Sequence, residues 1–408
     1  MAVQTTANLT NSIAALYRKR YIDGISQVRL YDQIAVPYNQ VGADGKTMDE
    51  LMQSSSINIP FLSEMTPGTA AISQTADLTP QTLTDTTLNA TWSSRGEALQ
   101  WSQQLAIEAY TDYTAKAYER IGQNMAESVE SVCINAALAG SLYSRYTATR
   151  VLMDAGTSTH RASDSIFRQM AGVFLSLRAP GFINDDGSSN TFMAIMHPYP
   201  YHDICESGNV DVIGQYQDKG IHLNWELGNI GNFRLVVSPY AKVFMGAGIP
   251  NATDVSDTLD GAVTPLATTL ATHNDNAANV NTGLFWNVGT TETGNTFYPT
   301  NEQIRPISAS TVTVTFSGSG PNGGLRFAHA DHIEVNNSDS VYSILFAGPQ
   351  SLVKVFATDV GEFGEVVGPK KSGLADQFTS LAWKWYGGYN RWGETRLYRY
   401  EVSTSYEG

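Results

Sequence analysis

Apolar and aromatic positions between Leu99 and Ala139 recur every three or four residues: Ala106, Tyr110, Tyr113, Ala117, Ile121, Met125, Val129, Val132 and Ala136. That spacing keeps one face of an α-helix apolar. Glu108, Asp112, Lys116, Arg120, Gln123, Glu127 and Glu130 fall mostly elsewhere on the wheel. No proline interrupts the run, and Gly140 stands where a C-capping glycine would. The pattern predicts one helix over 99–139, roughly 60 Å long. It is a single stripe and not a sustained heptad, which disfavours a coiled coil. So long a helix must lie along something flat and extended.

The flanking patterns differ. Ile72, Gln74, Ala76 and Leu78 alternate, and Thr79-Pro80-Gln81 interrupts. Leu83, Asp85 and Thr87 then share one face, with Leu88, Ala90 and Trp92 on the other. This predicts a long hairpin turning near Pro80, which is marginal alone and needs something to lie on. After the long helix, Ser163 is placed to cap a second one carrying Ile166, Met170, Val173, Phe174 and Leu177, ended by Pro180. Strands are expected over Thr191 to Met196, Ile221 to Trp225, Phe233 to Val237, Thr311 to Phe316, Val341 to Phe346 and Leu352 to Phe356, with a short helix over Tyr201 to Glu206. Near the end, Trp383 and Trp385 share one strand face, as do Tyr398, Tyr400 and Val402. Gly387-Gly388 reads as the turn between them.

Composition adds a second layer. With 408 residues and 42% apolar content, the chain supports two or three domains with real cores. It has no run of about 18 apolar residues that would span a membrane, and its first residues do not read as a signal peptide. Two cysteines, Cys133 and Cys205, fit a reducing compartment without a disulfide framework. A net charge of −14 argues against a dedicated nucleic-acid binder. The first 36 residues run the other way: Arg18, Lys19, Arg20 and Arg29 oppose Asp23 and Asp32. Charged residues make up only 16%, which suggests surface meant to be covered by neighbours. Residues 246–325 are rich in Asn, Thr, Gly and Ala, carry six acids against Arg305 alone, and read as a β-rich insertion with polar loops.

Candidate chemistry is sparse. No GxSxG elbow, Walker loop, GxGxxG fingerprint or HExxH occurs. His329, Asp331, His332 and Glu334 form the best metal-like cluster, but spacing fixes no further ligand, so no catalytic, cofactor or metal site is assigned.

The order of basic arm, hairpin, long helix and α/β body resembles the major capsid proteins of tailed bacteriophages. The segment Trp225–Pro239, WELGNIGNFRLVVSP, looks like that family's turn leading into a strand that ends at Ser-Pro. Leu374–Trp385, LADQFTSLAWKW, and the strand to Val402 look like the closing strands of its podophage-like branch; Ala194–Pro198 matches more weakly. Residues 246–338 are longer than the family pattern and resemble an insertion domain.

The resemblance implies an α+β tailed-phage major capsid fold with a β-rich insertion. Its parts would be an N-terminal arm (1–58), an extended hairpin loop (59–98), a peripheral domain with the spine helix (99–190), an axial domain (191–245), the insertion (246–338), and an axial return with closing peripheral strands (339–408). The implied role is a non-enzymatic shell subunit in the virion, assembled in the host cytoplasm around the packaged genome. Expected partners are copies of itself in pentamers and hexamers, a separate scaffolding protein, a portal protein, decoration proteins, and DNA by weak non-specific contact. No cofactor or membrane is expected. Inter-subunit contacts are assigned to Arg18, Lys19, Arg20, Arg29, Leu78, Leu88, Trp92 and Arg95. Some relatives begin with a scaffold-like segment that is removed; here the arm starts near Met1, so no comparable cleavage is expected. Others join a hairpin lysine to a neighbour's asparagine. No lysine lies between Lys46 and Lys116, so a shell without such cross-links is expected. The alternatives are a nanocompartment shell of the same fold, or a sugar-binding or metal-dependent protein using residues 246–338.

Overall fold

The computed structural model describes residues 30–37, 56–67, 69, 80–108, 112–182, 191–206, 211–212, 226–250, 256–273, 285–309, 313–357, 364–373 and 376–407. Within these, a strand and a short helix replace the first turns of the expected long helix. Residues Ser93–Ser102 form a strand, Gln103–Glu108 a short exposed helix, and Tyr113–Leu138 the spine helix proper. Leu99 and Trp101 repeat at a period of two, and the partner strand decides the outcome: Ser93 to Ser102 pair antiparallel with Gly387 to Phe378. The spine helix starts where Asp112 caps it, Oδ1 accepting from Ala115 N at 3.1 Å. It is therefore about 40 Å long instead of 60. Its stripe runs Ala117, Ile121, Met125, Val129, Cys133 and Ala137, all buried. At the C-terminal end Cys133 and Ala137 take the places expected of Val132 and Ala136, which are only partly buried.

The helix lies on a five-stranded sheet in the order Ala35–Pro37, Leu352–Phe356, Phe378–Arg391 and Glu365–Ser372, with Ser93–Ser102 also on Phe378–Arg391. Leu381, Trp383 and Trp385 point from the long strand into this core, and Trp383 Nε1 donates to Asn124 Oδ1 of the helix at 2.7 Å. Gly387-Gly388 is not a turn but lies inside the strand Phe378–Arg391. A Cβ at Gly388 would sit 2.2 Å from the Thr91 carbonyl oxygen, and one at Gly387 2.3 Å from the Trp385 ring. The glycines allow close approach, and the chain does not reverse between the two aromatic runs: it breaks at Gly393 and passes on into the strand Leu397–Val402 of a second sheet, staying antiparallel to residues 341–356.

Residues 30–37, inside the stretch expected to be an arm, are woven into this body. Leu30 and Tyr31 are fully buried. The buried Glu130 carboxylate accepts from their two backbone N–H groups at 2.9 and 2.5 Å, and Ala35–Pro37 pairs in parallel with Leu352–Lys354.

A second, eight-stranded sheet runs Tyr143–Arg145, Leu397–Val402, Val341–Ala347, Phe192–Met196, Phe233–Val237, Glu226–Ile230 and Asp211–Val212, with Val243–Phe244 on Val341–Ala347. One face carries the helix Asp164–Ser176, whose Ile166, Phe167, Met170 and Phe174 pack on Phe192, Phe233 and Phe346. Ser163 occupies the N-cap position, but its hydroxyl bonds Ser165 and not the helix backbone. Tyr400 and Val402 share this core, as expected. The expected strand at Ile221 to Trp225 lies outside the described residues.

The insertion is a six-stranded sheet, Ser256–Thr258, Glu334–Asn336, Trp286–Val288, Glu302–Ala309, Thr313–Ser317 and Thr269–Ala271. It has its own core of Leu259, Leu270, Trp286, Val288, Ile304, Val314, Phe316, Leu325 and Val335. Ionic contacts tie its surroundings to the body: Arg326 pairs with Glu127 of the spine helix, and buried Lys242 pairs with buried Glu292.

Where the insertion returns to the body, buried Asp339 accepts from Ala155 N at 2.7 Å. Burial, with Glu407 and Asp154 adding repulsion, pushes its carboxyl up to about 7. A raised carboxyl binds its proton more tightly folded than unfolded. Its penalty therefore grows as pH rises from the ordinary carboxylate range and levels off above about pH 7. Asp339→Asn keeps an acceptor and removes the charge. Its melting temperature should exceed the parent's at about pH 7.5, with the gain vanishing near about pH 4. An equal gain at both values would show that the carboxyl is not the cause.

Candidate assembly surfaces

Ser56–Leu62 and Asp85–Thr91 pair antiparallel over seven residues each, Ser56 opposite Thr91 and Leu62 opposite Asp85. The pairing continues outward. Ser63 N donates to Thr84 O at 2.9 Å, and Thr84 N to Ser63 Oγ at 3.0 Å. Further out, the Gln81 side-chain amide makes two 2.9 Å bonds to the Thr66 backbone. From Ser56 to Thr66 the ribbon spans roughly 35 Å.

The base of this ribbon is anchored. Ile59 and Ala90 are buried against Val353 and Val355, with Leu88 and Trp392 packed at the margin. Trp92 sits edge-on to Tyr386 at 6.2 Å. Arg95 donates from NH1 to the Gly387 carbonyl at 3.1 Å, and burial pulls its pKa down. Leu88, Trp92 and Arg95 therefore have partners within their own chain and fix the ribbon's root. Leu78, Arg18, Lys19, Arg20 and Arg29 lie outside the described residues.

The outer described part of the ribbon is exposed. Residues 62–67 and 80–87 are exposed throughout, including Leu62 at 69%, Met65 at 63% and Leu83 at 51% relative exposure. Leu62 and Met65 were missed in the sequence because neither belongs to an alternating run. A two-stranded ribbon with apolar side chains in water on both faces needs a covering layer. The exposed short helix adds Leu105 and Ile107.

The metal-like cluster comes apart and re-forms. His329 is buried, with Nε2 3.2 Å from Glu302 Oε1, and Glu334 accepts from Thr291 N at 3.1 Å. Asp331 and His332 instead meet His273 at the surface.

No protein-family model matches the sequence, and no curated protein matches it. Solved structures do resemble the fold. The capsid of Ralstonia phage GP4 superposes with a TM-score of 0.53 at 9% identity, covering 86% of this chain and 84% of that one. The capsid of cyanophage P-SCSP1u gives 0.47 at 9% identity, covering 86% and 85%. A structure from Mycobacterium phage Che8 gives 0.47 at 7% identity, covering 91% and 90%. At such identity the GP4 likeness speaks for the fold: this chain has the α+β fold of a phage capsid subunit, as the sequence resemblance implied.

Proposed function

We propose that this chain is the major capsid protein of a tailed phage, of the podophage-like branch, and that it builds an icosahedral shell around the genome without catalysing a reaction. The carrying observation is the ribbon, rooted in its own body and exposing Leu62, Met65 and Leu83 on its outer described part, on a capsid-type fold. A neighbouring copy supplies the missing layer, in pentamers and hexamers. The basic arm with Arg18, Lys19, Arg20 and Arg29 is proposed to dock on the acidic body of another copy, and Leu78 to belong to the ribbon contact. A net-acidic wall would hold packaged DNA only weakly. A scaffolding protein, a portal and decoration proteins complete the proposed partners, with assembly in the host cytoplasm and residence in the virion.

Light scattering after size exclusion, with negative-stain microscopy, tests this. Pentamers, hexamers or closed shells are expected. A stable monomer at every concentration, with and without scaffold, would overturn it. A nanocompartment of the same fold would yield small shells filled with enzyme and not nucleic acid.

A further inference from the structure

At one end of the insertion, three loops that are distant in sequence are laced together by backbone hydrogen bonds. Asp260 N donates to Ala271 O at 2.9 Å, His273 N to Thr258 O at 3.1 Å, Leu259 N to Ile333 O at 2.9 Å and His332 N to Leu259 O at 3.1 Å. The lacing brings His273, Asp331 and His332 together. One ligand atom from each lies within 4.8 Å of the others. The two imidazoles are stacked almost parallel, 4.5 Å between centroids at 4°. Each turns Nε2 towards a different oxygen of the same carboxylate: His273 to Asp331 Oδ1 and His332 to Oδ2, both at 3.6 Å.

That distance is too long for a hydrogen bond. It is close to the spacing of two donors sharing one small cation: metal–ligand distances near 2.0–2.2 Å in a tetrahedron put donors about 3.4 Å apart. The Nε2 lone pairs of parallel rings do not converge, so one of the two surface imidazoles must turn out of the stack for both to meet one ion. The carboxylate is held ready. Asp331 Oδ1 accepts from Gly261 N at 2.8 Å and His332 N at 2.9 Å. Asp260 Oδ1 lies 3.9 Å from Nδ1 of His273, on the side of the ring away from Asp331. At that distance it makes no hydrogen bond to the ring, and it would have to close by about 1 Å to act as the outer support of a metal-binding histidine.

We propose that His273, Asp331 and His332 form a surface site for one divalent transition cation of the zinc class. Two imidazole nitrogens and one carboxylate suit Zn²⁺, Co²⁺ or Ni²⁺; Mg²⁺ and Ca²⁺ prefer all-oxygen sites. Three protein donors leave a fourth position for water or for a donor from another molecule. The ion would clamp the three loops at their tips. The site is independent of the shell reading, because every ligand comes from one chain.

Calorimetric titration of the purified full-length chain with ZnCl₂ tests the site, and CoCl₂ provides a spectroscopic readout of tetrahedral coordination. One equivalent should bind, and neither MgCl₂ nor CaCl₂ should displace it. His273→Asn and His332→Asn should each lose binding. Both side chains are at the surface, and asparagine tolerates the left-handed backbone at His332, φ +62°, so folding should survive and circular dichroism can confirm it. His202→Asn, in a separate His202–Asp203–Glu206 group, should bind as the parent does. Absence of saturable binding, or an equivalent that persists in both asparagine variants, would overturn the proposal. Neither result would bear on assembly.

Discussion

Glu401→Ala is expected to cost about 3–5 kcal/mol of stability, the range for stripping one partner from a buried ionic cluster. Glu401 is fully buried on the face of Leu397–Val402 opposite Tyr400. Three guanidiniums converge on it. Arg150 forms a two-pronged contact, Nε to Oε2 at 3.0 Å and NH2 to Oε1 at 2.6 Å. Arg145 Nε lies 3.2 Å from Oε2 and Arg399 Nε 2.9 Å from Oε1. The excess positive charge is absorbed elsewhere. Arg399 NH1 donates to the Leu138 carbonyl at the spine helix C-terminus, at 2.8 Å, where the helix dipole favours a cation. Arg150 donates to the Thr293 and Gly294 carbonyls at 2.8 and 2.5 Å and lies over the Phe244 ring. Even so, burial pulls Arg399 down to about 10. Without Glu401, three charges would face one another in a site that water does not reach. Urea denaturation should show the loss. Arg145→Ala leaves the carboxylate with two partners and should cost far less. Equal costs for the two variants would mean that the carboxylate is not the keystone.

The second large effect should appear only on assembly. A triple variant with Leu62→Ser, Met65→Ser and Leu83→Ser removes three exposed apolar side chains from the outer described part of the ribbon. Each is worth roughly 1.5–3 kcal/mol if a neighbour buries it fully, so shells should fail to form at concentrations where the parent assembles. The unassembled subunit should melt within about 0.5 kcal/mol of the parent, as exposed substitutions generally do. Microscopy of parallel preparations decides between the outcomes. Normal shells from the variant would place the inter-subunit contact elsewhere.

Much of this architecture was legible in the sequence because it rests on local periodicity. The Ala117–Val129 stripe, the Phe192–Met196 strand and the shared face of Trp383 and Trp385 follow from spacing alone. The failures come from non-local partners. Residues 99–102 fit a helical spacing loosely, but they end a ten-residue segment, Ser93–Ser102, that Phe378 to Gly387 were waiting to pair with. Gly387-Gly388 has the composition of a turn, but its role depends on how closely Thr91 and Trp385 approach. Leu30 and Tyr31 looked like part of a loose arm because the carboxylate that receives them, Glu130, is far along the chain on the spine helix. The metal-like cluster shows the same limit: Asp331 and His332 were visible, and His273 joins them only through the lacing of loops.

The way the ribbon is rooted also sets how the subunit bears force. Beyond Thr91 the chain passes through Trp92 directly into Ser93–Ser102, whose ten residues run antiparallel to the long strand from Gly387 to Phe378. Ladder hydrogen bonds lie across the strand direction. A pull on the ribbon along that strand loads the rungs together, in shear, and they must yield at once. A sideways pull would peel the same ladder one rung at a time. The chain is therefore stiff to tension along one axis and weak to peeling across it, and the shell proposed above would be toughest where a neighbour draws on the ribbon lengthwise.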